Sequence, residues 1–311
     1  IPVGKPRDMR NFVQIGKYFQ NATILQLTNM MYLLLRDYGK VKGIPKPQES
    51  EKLPDIGLCD PETKNYFDDY REYADIHGFN SSKPTVALLF YGHTYPNDTS
   101  TCVAKIAEQI RPFANILPIA FSKTKTDNQD LLKEWLLHGT GRKVNLIINF
   151  MSFRLGAGPM GGNADYAVSI LEDVNVPIFH PFFMTKRRES EWFDSVEGIN
   201  SSEFLLSVML PELDGAIETY PIGAMAAPEY NSEFDIEVRE LSLIDDRVLK
   251  LVSRVKNWLK LQIKRNSDKK VAIICYNYPP GEDNLFGGAF LDTFNSVENI
   301  LKELNDNGYN V

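Results

Sequence analysis

Two carboxylates stand close together in Pro211-Glu212-Leu213-Asp214-Gly215, where an apolar helical pattern running from Ser202 to Pro211 ends. Acids are disfavoured at a helix C-terminus by the dipole, so Glu212 and Asp214 do not serve to stabilise that helix. They either hydrogen-bond a turn ahead of Gly215 or do chemistry, as proton acceptors or metal ligands. Two imidazoles extend the set. His93 follows the apolar run VALLFY and precedes a polar turn, while His180 lies inside PIFHPFF, where a hydrogen-bonded core histidine is the competing reading. Asn149, Ser152 and Phe153 close another apolar run, and Glu189 and Glu191 flank a helix start beside Trp192. Imidazole, hydroxyl, amide and aromatic rings together suit a flat aromatic ligand better than a phosphate chain.

The elements that must position these residues follow from periodicity. Short continuous apolar runs at Val86–Tyr91, Ile116–Phe121, Val144–Phe150 and Pro177–Phe183 alternate with helical patterns at Thr99–Arg111, Asn128–Leu137 and Ala164–Val174. Runs of strand length that are apolar at every position belong to parallel strands buried on both faces. The expected fold is therefore α/β, a Rossmann-like doubly wound and mainly parallel sheet, with a further strand at Ile217–Ile222. Ligands of such sheets bind beyond the carboxyl ends of the strands, which places residue 93 and residues 149–153 on the rim. The chain divides into a helical segment and Pro-rich connector (1–83), the α/β domain (84–238), a long spacer helix (239–267), and the first β-α unit of a further α/β domain (268–311). That unit reads as a strand at Lys270–Tyr276 and a helix at Ser296–Asn307. A chain that opens on Ile1-Pro2-Val3 and stops on entering a new strand reads as a piece of something longer.

Composition narrows the function classes. The 311 residues are 43% hydrophobic and 24% charged, the profile of a globular chain with a sizeable core. A net charge of −7, with basic clusters only at 186–188 and 264–270, argues against a nucleic-acid surface. No apolar run is long enough for stable membrane insertion, and three scattered cysteines without a C-x-x-C pair fit a reducing, cytoplasmic setting. Gly156-Ala157-Gly158-Pro159-Met160-Gly161 spells G-x-G-x-x-G, but it follows the third strand in a loop that is too long. No acidic residue ends the next strand to take a ribose hydroxyl. A Walker P-loop is absent, so any ATP use must come from elsewhere.

Several motifs, in order along nearly the whole chain, carry a family resemblance. They are the helical NFVQIGKYFQNATILQLTNMMYLLL, VALLFYGH (Val86–His93), Ser152-Phe153 with Pro159, Glu191-Trp192, LPELDG (Leu210–Gly215), and the block from Tyr276 to Val311 that opens YNYPPGE. The chain resembles the large, porphyrin-binding subunit of the cobaltochelatase and magnesium-chelatase family. The resemblance implies insertion of Co²⁺ or Mg²⁺ into a tetrapyrrole, with ATP hydrolysed by separate AAA+ partner subunits and not bound here. His93, Glu212 and Asp214 match the family's motifs and are the expected catalytic residues, His93 and Glu212 also as metal ligands. Phe153, His180, Glu191 and Trp192 are candidates for tetrapyrrole contact. Cobalt insertion into a corrin precursor is the favoured reading and magnesium insertion into protoporphyrin IX the alternative. A non-catalytic small-molecule-binding α/β module is the second alternative, and the isolated fragment is expected to be inactive.

Overall fold

The computed structural model describes residues 5–20, 22–92, 99–122, 129–138, 141–142, 144–158, 161–276, 286–287 and 290–311. Two helices open the chain, α1 (Pro6–Gln20) and α2 (Ile24–Asp37). Thr23 caps α2 by accepting from the Gln26 N–H at 3.2 Å. The hairpin is tied together where Asn11 donates to Asp37 at 2.7 Å. Next come strands β1 (Ile56–Cys59) and β2 (Tyr66–Phe67) and helix α3 (Tyr70–Ile76). These elements change the reading of the Pro-rich segment from a connector to part of the sheet, because β1 pairs antiparallel with the later strand 115–121. The buried Asp60 fixes the turn behind β1, accepting from the Glu62 N–H at 3.1 Å and the Thr63 hydroxyl at 3.0 Å.

The expected alternation then appears as β3 (Thr85–Tyr91), α4 (Ser100–Ile110), β4 (Asn115–Phe121) and α5 (Gln129–Leu136). A small hairpin of β5 (Leu137–His138) and β6 (Gly141–Arg142) leads to β7 (Leu146–Asn149). A second, β8 (Ala157–Gly158) with β9 (Gly161–Gly162), precedes α6 (Ala164–Val174). Strand β10 (Ile178–Arg188) runs on past the apolar stretch into charged residues and enters α7 (Glu189–Phe193). The helix expected over 202–211 is α8 (Ser201–Phe204), a π-helical turn (Leu205–Met209) and α9 (Leu210–Glu212) in succession. Strand β11 (Ala216–Met225), the hairpin β12 (Glu229–Asn231) and β13 (Ile236–Val238), and β14 (Leu241–Leu243) complete the strands, followed by α10 (Asp245–Ile263). The spacer helix thus begins at Asp245 and not at Arg239, because 241–243 pairs antiparallel with β11.

The eight strands lie in the order β14-β11-β10-β7-β3-β4-β1-β2. The central five, β11, β10, β7, β3 and β4, are mutually parallel, and antiparallel strands close both edges. One face buries Ala87, Leu89, Ile119 and Ile147 against Leu132, Leu136, Ile170 and Val174 of α5 and α6. By the alternation of side chains along a strand, the equally buried Val86, Leu88 and Phe90 point to the other face. There α4 buries Val103, Ile106 and Ile110. The mainly parallel α/β sheet expected from the apolar runs is the fold observed.

At the β11–β14 edge the backbones approach so closely that a Cβ on Gly223 would lie 2.6 Å from the Ser242 carbonyl oxygen and 2.8 Å from the Phe183 ring. Gly223→Ala is therefore expected to destabilise the chain by about 2 kcal/mol, within the cost of overpacking. Urea unfolding measures it, and an unchanged midpoint would contradict the close approach.

Compact units comprise residues 1–253 and 254–311, the division falling inside α10. In the second unit a short 3₁₀ turn (Asn266–Asp268) and α11 (Thr293–Asp306) are joined by side-chain to backbone bonds. Asn266 donates to the Asn307 carbonyl at 2.8 Å and Asn310 to that of Ser267 at 2.9 Å. The strand expected at Lys270–Tyr276 pairs with no strand among the described residues, and Val271, Ile274 and Tyr276 are exposed. A strand needs a neighbour to take its N–H and C=O groups, and no described strand lies beside it.

Candidate functional site

The parallel strands run β4-β3-β7-β10-β11 across the sheet, so chain order reverses between β3 and β7. Crevices at such a switch point, beyond the carboxyl ends of the strands, are where open α/β sheets bind ligands. Tyr91-Gly92 leaves β3 there and Asn149-Phe150 leaves β7. Across the crevice the Tyr91 hydroxyl donates to the Ser152 carbonyl at 3.3 Å, and burial pushes that phenol well above its ordinary pKa. Asn149 turns its side chain back to accept from the Met151 N–H at 3.0 Å, which fixes the start of the loop. His93, two residues beyond Tyr91, lies outside the described residues.

The helix 201–212 organises this loop, and proline explains how. Pro211 has no N–H, so it leaves unsatisfied the carbonyl of Ser207 in an α register and that of Leu206 in the wider π register. The π turn is present, with the Leu210 N–H bonded to the Leu205 carbonyl. The Leu206 carbonyl is satisfied from outside, by the Phe153 N–H at 2.8 Å. Phe153 takes φ +71° to make that bond, a conformation that costs a bulky residue about 1–3 kcal/mol. One residue on, the Ser207 and Ser152 hydroxyls meet at 3.2 Å. One turn of helix thus holds the loop that follows β7.

His180 sits beneath this turn with no exposed surface. The backbone of Asn149 and Ser207 faces the ring and favours its protonated form, yet neither nitrogen reaches hydrogen-bond geometry. Burial dominates and lowers the pKa to about 4, so the imidazole is neutral. In the unfolded chain it titrates near 6.5, and between those values the unfolded state binds more protons. Its contribution to stability is therefore complete above about pH 6.5 and is lost as pH falls towards 4. At roughly 1.4 kcal/mol per pH unit, the chain should lose about 2 kcal/mol from this group between pH 7.5 and 5. Urea unfolding of wild type and His180→Phe at both pH values checks it. A variant with the wild-type pH dependence would contradict a buried neutral ring.

The LPELDG acids have separate circumstances. Asp214 is nearly buried, its Oδ1 accepting from Arg154 Nε at 2.8 Å and its Oδ2 from the Leu155 N–H at 2.8 Å. Burial nevertheless raises its pKa, with Arg154 and the Leu155 N–H opposing. Glu212 is exposed, and its side chain makes no ion pair among the described residues. Register shows where this turn lies. Ala216 pairs with Ile178, Ile178 with Ile147, and Ile147 with Ala87. Tyr91 is four positions (91 − 87) further along β3, about 13 Å at roughly 3.3 Å per residue. Glu212 and Asp214 precede Ala216, so their turn leads into the amino end of β11, and the bonds of Asp214 to Arg154 and Leu155 tie it to the loop that leaves β7.

Glu191 and Trp192 lie apart from both places. Glu191 accepts from the Arg188 N–H at 2.9 Å and its guanidinium at 2.6 Å, and Arg188 holds its carboxyl below the usual range. Trp192 packs on the small core of Phe182, Met184, Ala224 and Ile244, with the Arg247 guanidinium 5.1 Å from its ring centre. The structure thus gathers Phe153 and His180 around the π turn, with Glu212 at the end of the same helix and Asp214 bonded to Arg154, and leaves Glu191 and Trp192 elsewhere. Reading the sequence missed Arg154 and Ser207. The missing N–H of Pro211 is the signal that pointed to the second, whereas nothing local marks Arg154 as the partner of an acid 60 residues away.

Fold and site define an open α/β protein with polar and aromatic residues at its switch point and a clamped acidic turn. The CobN/Magnesium Chelatase family model matches residues 16–311, and the chain belongs to that family. It is 26% identical over 325 residues to the chloroplastic magnesium-chelatase protein ChlH of Oryza sativa subsp. indica, covering 100% of this chain and 23% of that protein. It is 28% identical over 270 residues to the aerobic cobaltochelatase protein CobN of Pseudomonas aeruginosa, covering 85% and 20%. Among solved structures, the catalytic subunit of cobaltochelatase from Mycobacterium tuberculosis is similar in fold. The TM-score is 0.67 at 18% identity, over 97% of this chain and 23% of that one. The chain spans about a quarter of the length of these relatives.

Proposed function

We propose that these residues are part of the tetrapyrrole-binding large subunit of an ATP-dependent metal chelatase that inserts Co²⁺ into a corrin precursor. The observation that carries the reading is the family match over 16–311, within which LPELDG forms a turn held rigid by Arg154. Metallation exchanges two pyrrole N–H protons for a divalent cation, so the reaction needs a carboxylate or imidazole to accept protons. Glu212, exposed on the clamped turn, is the proton acceptor and transient metal ligand of this proposal. Asp214, with each oxygen already engaged, acts through the turn by fixing the direction of Glu212. His93, which follows the end of β3 in sequence, is the second base and metal ligand of this proposal. Phe153 and Tyr91 offer the crevice a ring and a hydroxyl edge for the macrocycle, and His180 supports the turn beneath them.

Nitrogen donors favour cobalt over magnesium, which prefers oxygen and water, and a histidine ligand therefore supports the cobalt reading. Relatives of both kinds match the chain, and insertion of Mg²⁺ into protoporphyrin IX is the alternative. ATP hydrolysis falls to AAA+ partner subunits in this reading. The test is optical titration of the chain with a metal-free corrin precursor and with protoporphyrin IX. A spectral shift with the corrin supports the proposal, and binding of a nucleotide in place of either macrocycle would overturn it.

A further inference from the structure

The helix that carries LPELDG is amphipathic in the reverse sense. A helix on the surface of a globular protein turns its apolar stripe towards the core, yet here Glu203, Ser207 and Pro211, at i, i+4 and i+8, are the buried positions. Leu205, Met209 and Leu213, at the same spacing two residues on, stand 45%, 48% and 62% exposed. The π turn contributes to this row. In an α-helix of 3.6 residues per turn each i, i+4 step overshoots a full turn by about 40°. The wider turn over Leu205–Met209 takes more residues per turn and reduces that advance. The three side chains therefore stay closer to one line than an uninterrupted α-helix would hold them, and an apolar row facing solvent marks an interaction surface.

Glu212 stands beside this row. It is exposed, three residues after Met209 and next to Leu213, and residues three apart on a helix are surface neighbours. In the chelatase reading, on which this inference rests, Glu212 takes a proton from a pyrrole nitrogen, and a general base must come within about 2.6–3.2 Å of the atom it serves. The pyrrole nitrogens surround the centre of the macrocycle. With its substituents a tetrapyrrole disc reaches further from that centre than the roughly 5.4 Å of one helical turn, so a disc centred at Glu212 covers Met209 and Leu213 and extends towards Leu205. The Phe153 N–H, bonded to the Leu206 carbonyl, brings the loop after β7 against the same helix. We propose that the tetrapyrrole lies flat on the face formed by Leu205, Met209 and Leu213, with its central nitrogens over Glu212 and one edge towards Phe153.

Optical titration of the full-length subunit with a metal-free corrin precursor and with protoporphyrin IX tests the placement. Met209→Gln combined with Leu213→Gln should weaken macrocycle binding at least about tenfold, because apolar surface that the disc covers becomes amide. Leu205→Gln, about two turns from Glu212, should weaken it about twofold. Phe12→Gln on α1, at a side chain 68% exposed, should leave it unchanged. Thermal midpoints should stay at the wild-type value in all of these variants, since exposed positions contribute little to stability. Wild-type binding by the Met209→Gln and Leu213→Gln variant, or an equal loss in Phe12→Gln, would overturn the placement and leave the chelatase reading standing. Failure of the wild-type subunit to bind either macrocycle would overturn that reading and the placement with it. Should the double variant fail to fold, Leu213→Gln alone, outside the π turn, gives the same comparison.

Discussion

Arg154→Leu should destabilise the chain by about 3 kcal/mol. The guanidinium it removes is the charged partner of Asp214, whose side chain is 4% exposed. A buried pair broken on one side leaves an uncompensated charge, at a typical cost of about 3–5 kcal/mol. The lower end applies because Arg154 itself reaches water, and because the Leu155 N–H still donates to Asp214. Asp214→Asn should cost less, since a neutral amide beside Arg154 leaves no buried anion. Replacing both residues should recover part of the loss, and a double-mutant cycle in urea isolates the coupling. A single-variant loss below about 1 kcal/mol would show that the clamp does not hold the turn. The same change should also disturb the LPELDG turn, and with it the presentation of Glu212.

Glu212→Gln, made in the full-length subunit, should reduce metal insertion by at least about a hundredfold, the usual contribution of a positioned general base. Tetrapyrrole binding and folding stability should both survive, because the side chain is exposed and makes no ion pair among the described residues. Exposed positions of this kind change stability by about 0.5 kcal/mol or less. His93→Ala should give the same separation of insertion from binding. Wild-type insertion by Glu212→Gln would remove this carboxylate from the mechanism, and loss of tetrapyrrole binding would make it a contact residue. Steady-state insertion assays alongside fluorescence titration of the macrocycle distinguish these outcomes.

The parallel core was legible because VALLFY and ILPIAF are apolar at every position and Val144–Phe150 is apolar apart from Asn145 and Asn149, as burial on both faces requires. Strand β1 was hidden for the opposite reason. Ile56–Cys59 is four residues long, sits among prolines, and owes its place to pairing with β4. Strand β10 outran its apolar stretch because Arg188 still pairs with Met225 of β11, while the Thr185 and Lys186 N–H groups before it donate to the Glu203 carboxylate. Strand β14 was absorbed into the spacer helix since Leu241–Leu243 has too few residues to show a period.

The candidate site divides in the same way. Residues 149–153 were placed on the rim by the end of an apolar run, and the switch point falls there. The acidic turn followed from the conflict between Glu212, Asp214 and the helix dipole, while its attachment to the loop after β7 depends on a long-range contact that no local pattern encodes. Asp214 illustrates the limit. Its type and position drew attention to chemistry, and its bonds to Arg154 and Leu155 come from a loop 59–60 residues earlier. His180 shows the reverse, since an imidazole inside an apolar strand reads as either core or contact residue and lies wholly in the core.

Metal insertion by the full-length subunit together with the AAA+ ATPases that the proposal assigns to it, comparing Co²⁺ with a corrin precursor and Mg²⁺ with protoporphyrin IX, tests the central claim most directly. The expected result is ATP-dependent cobalt insertion that Glu212→Gln abolishes. Magnesium insertion alone would contradict the assignment of the metal, and insertion of neither, with no macrocycle bound, would contradict the chelatase reading itself.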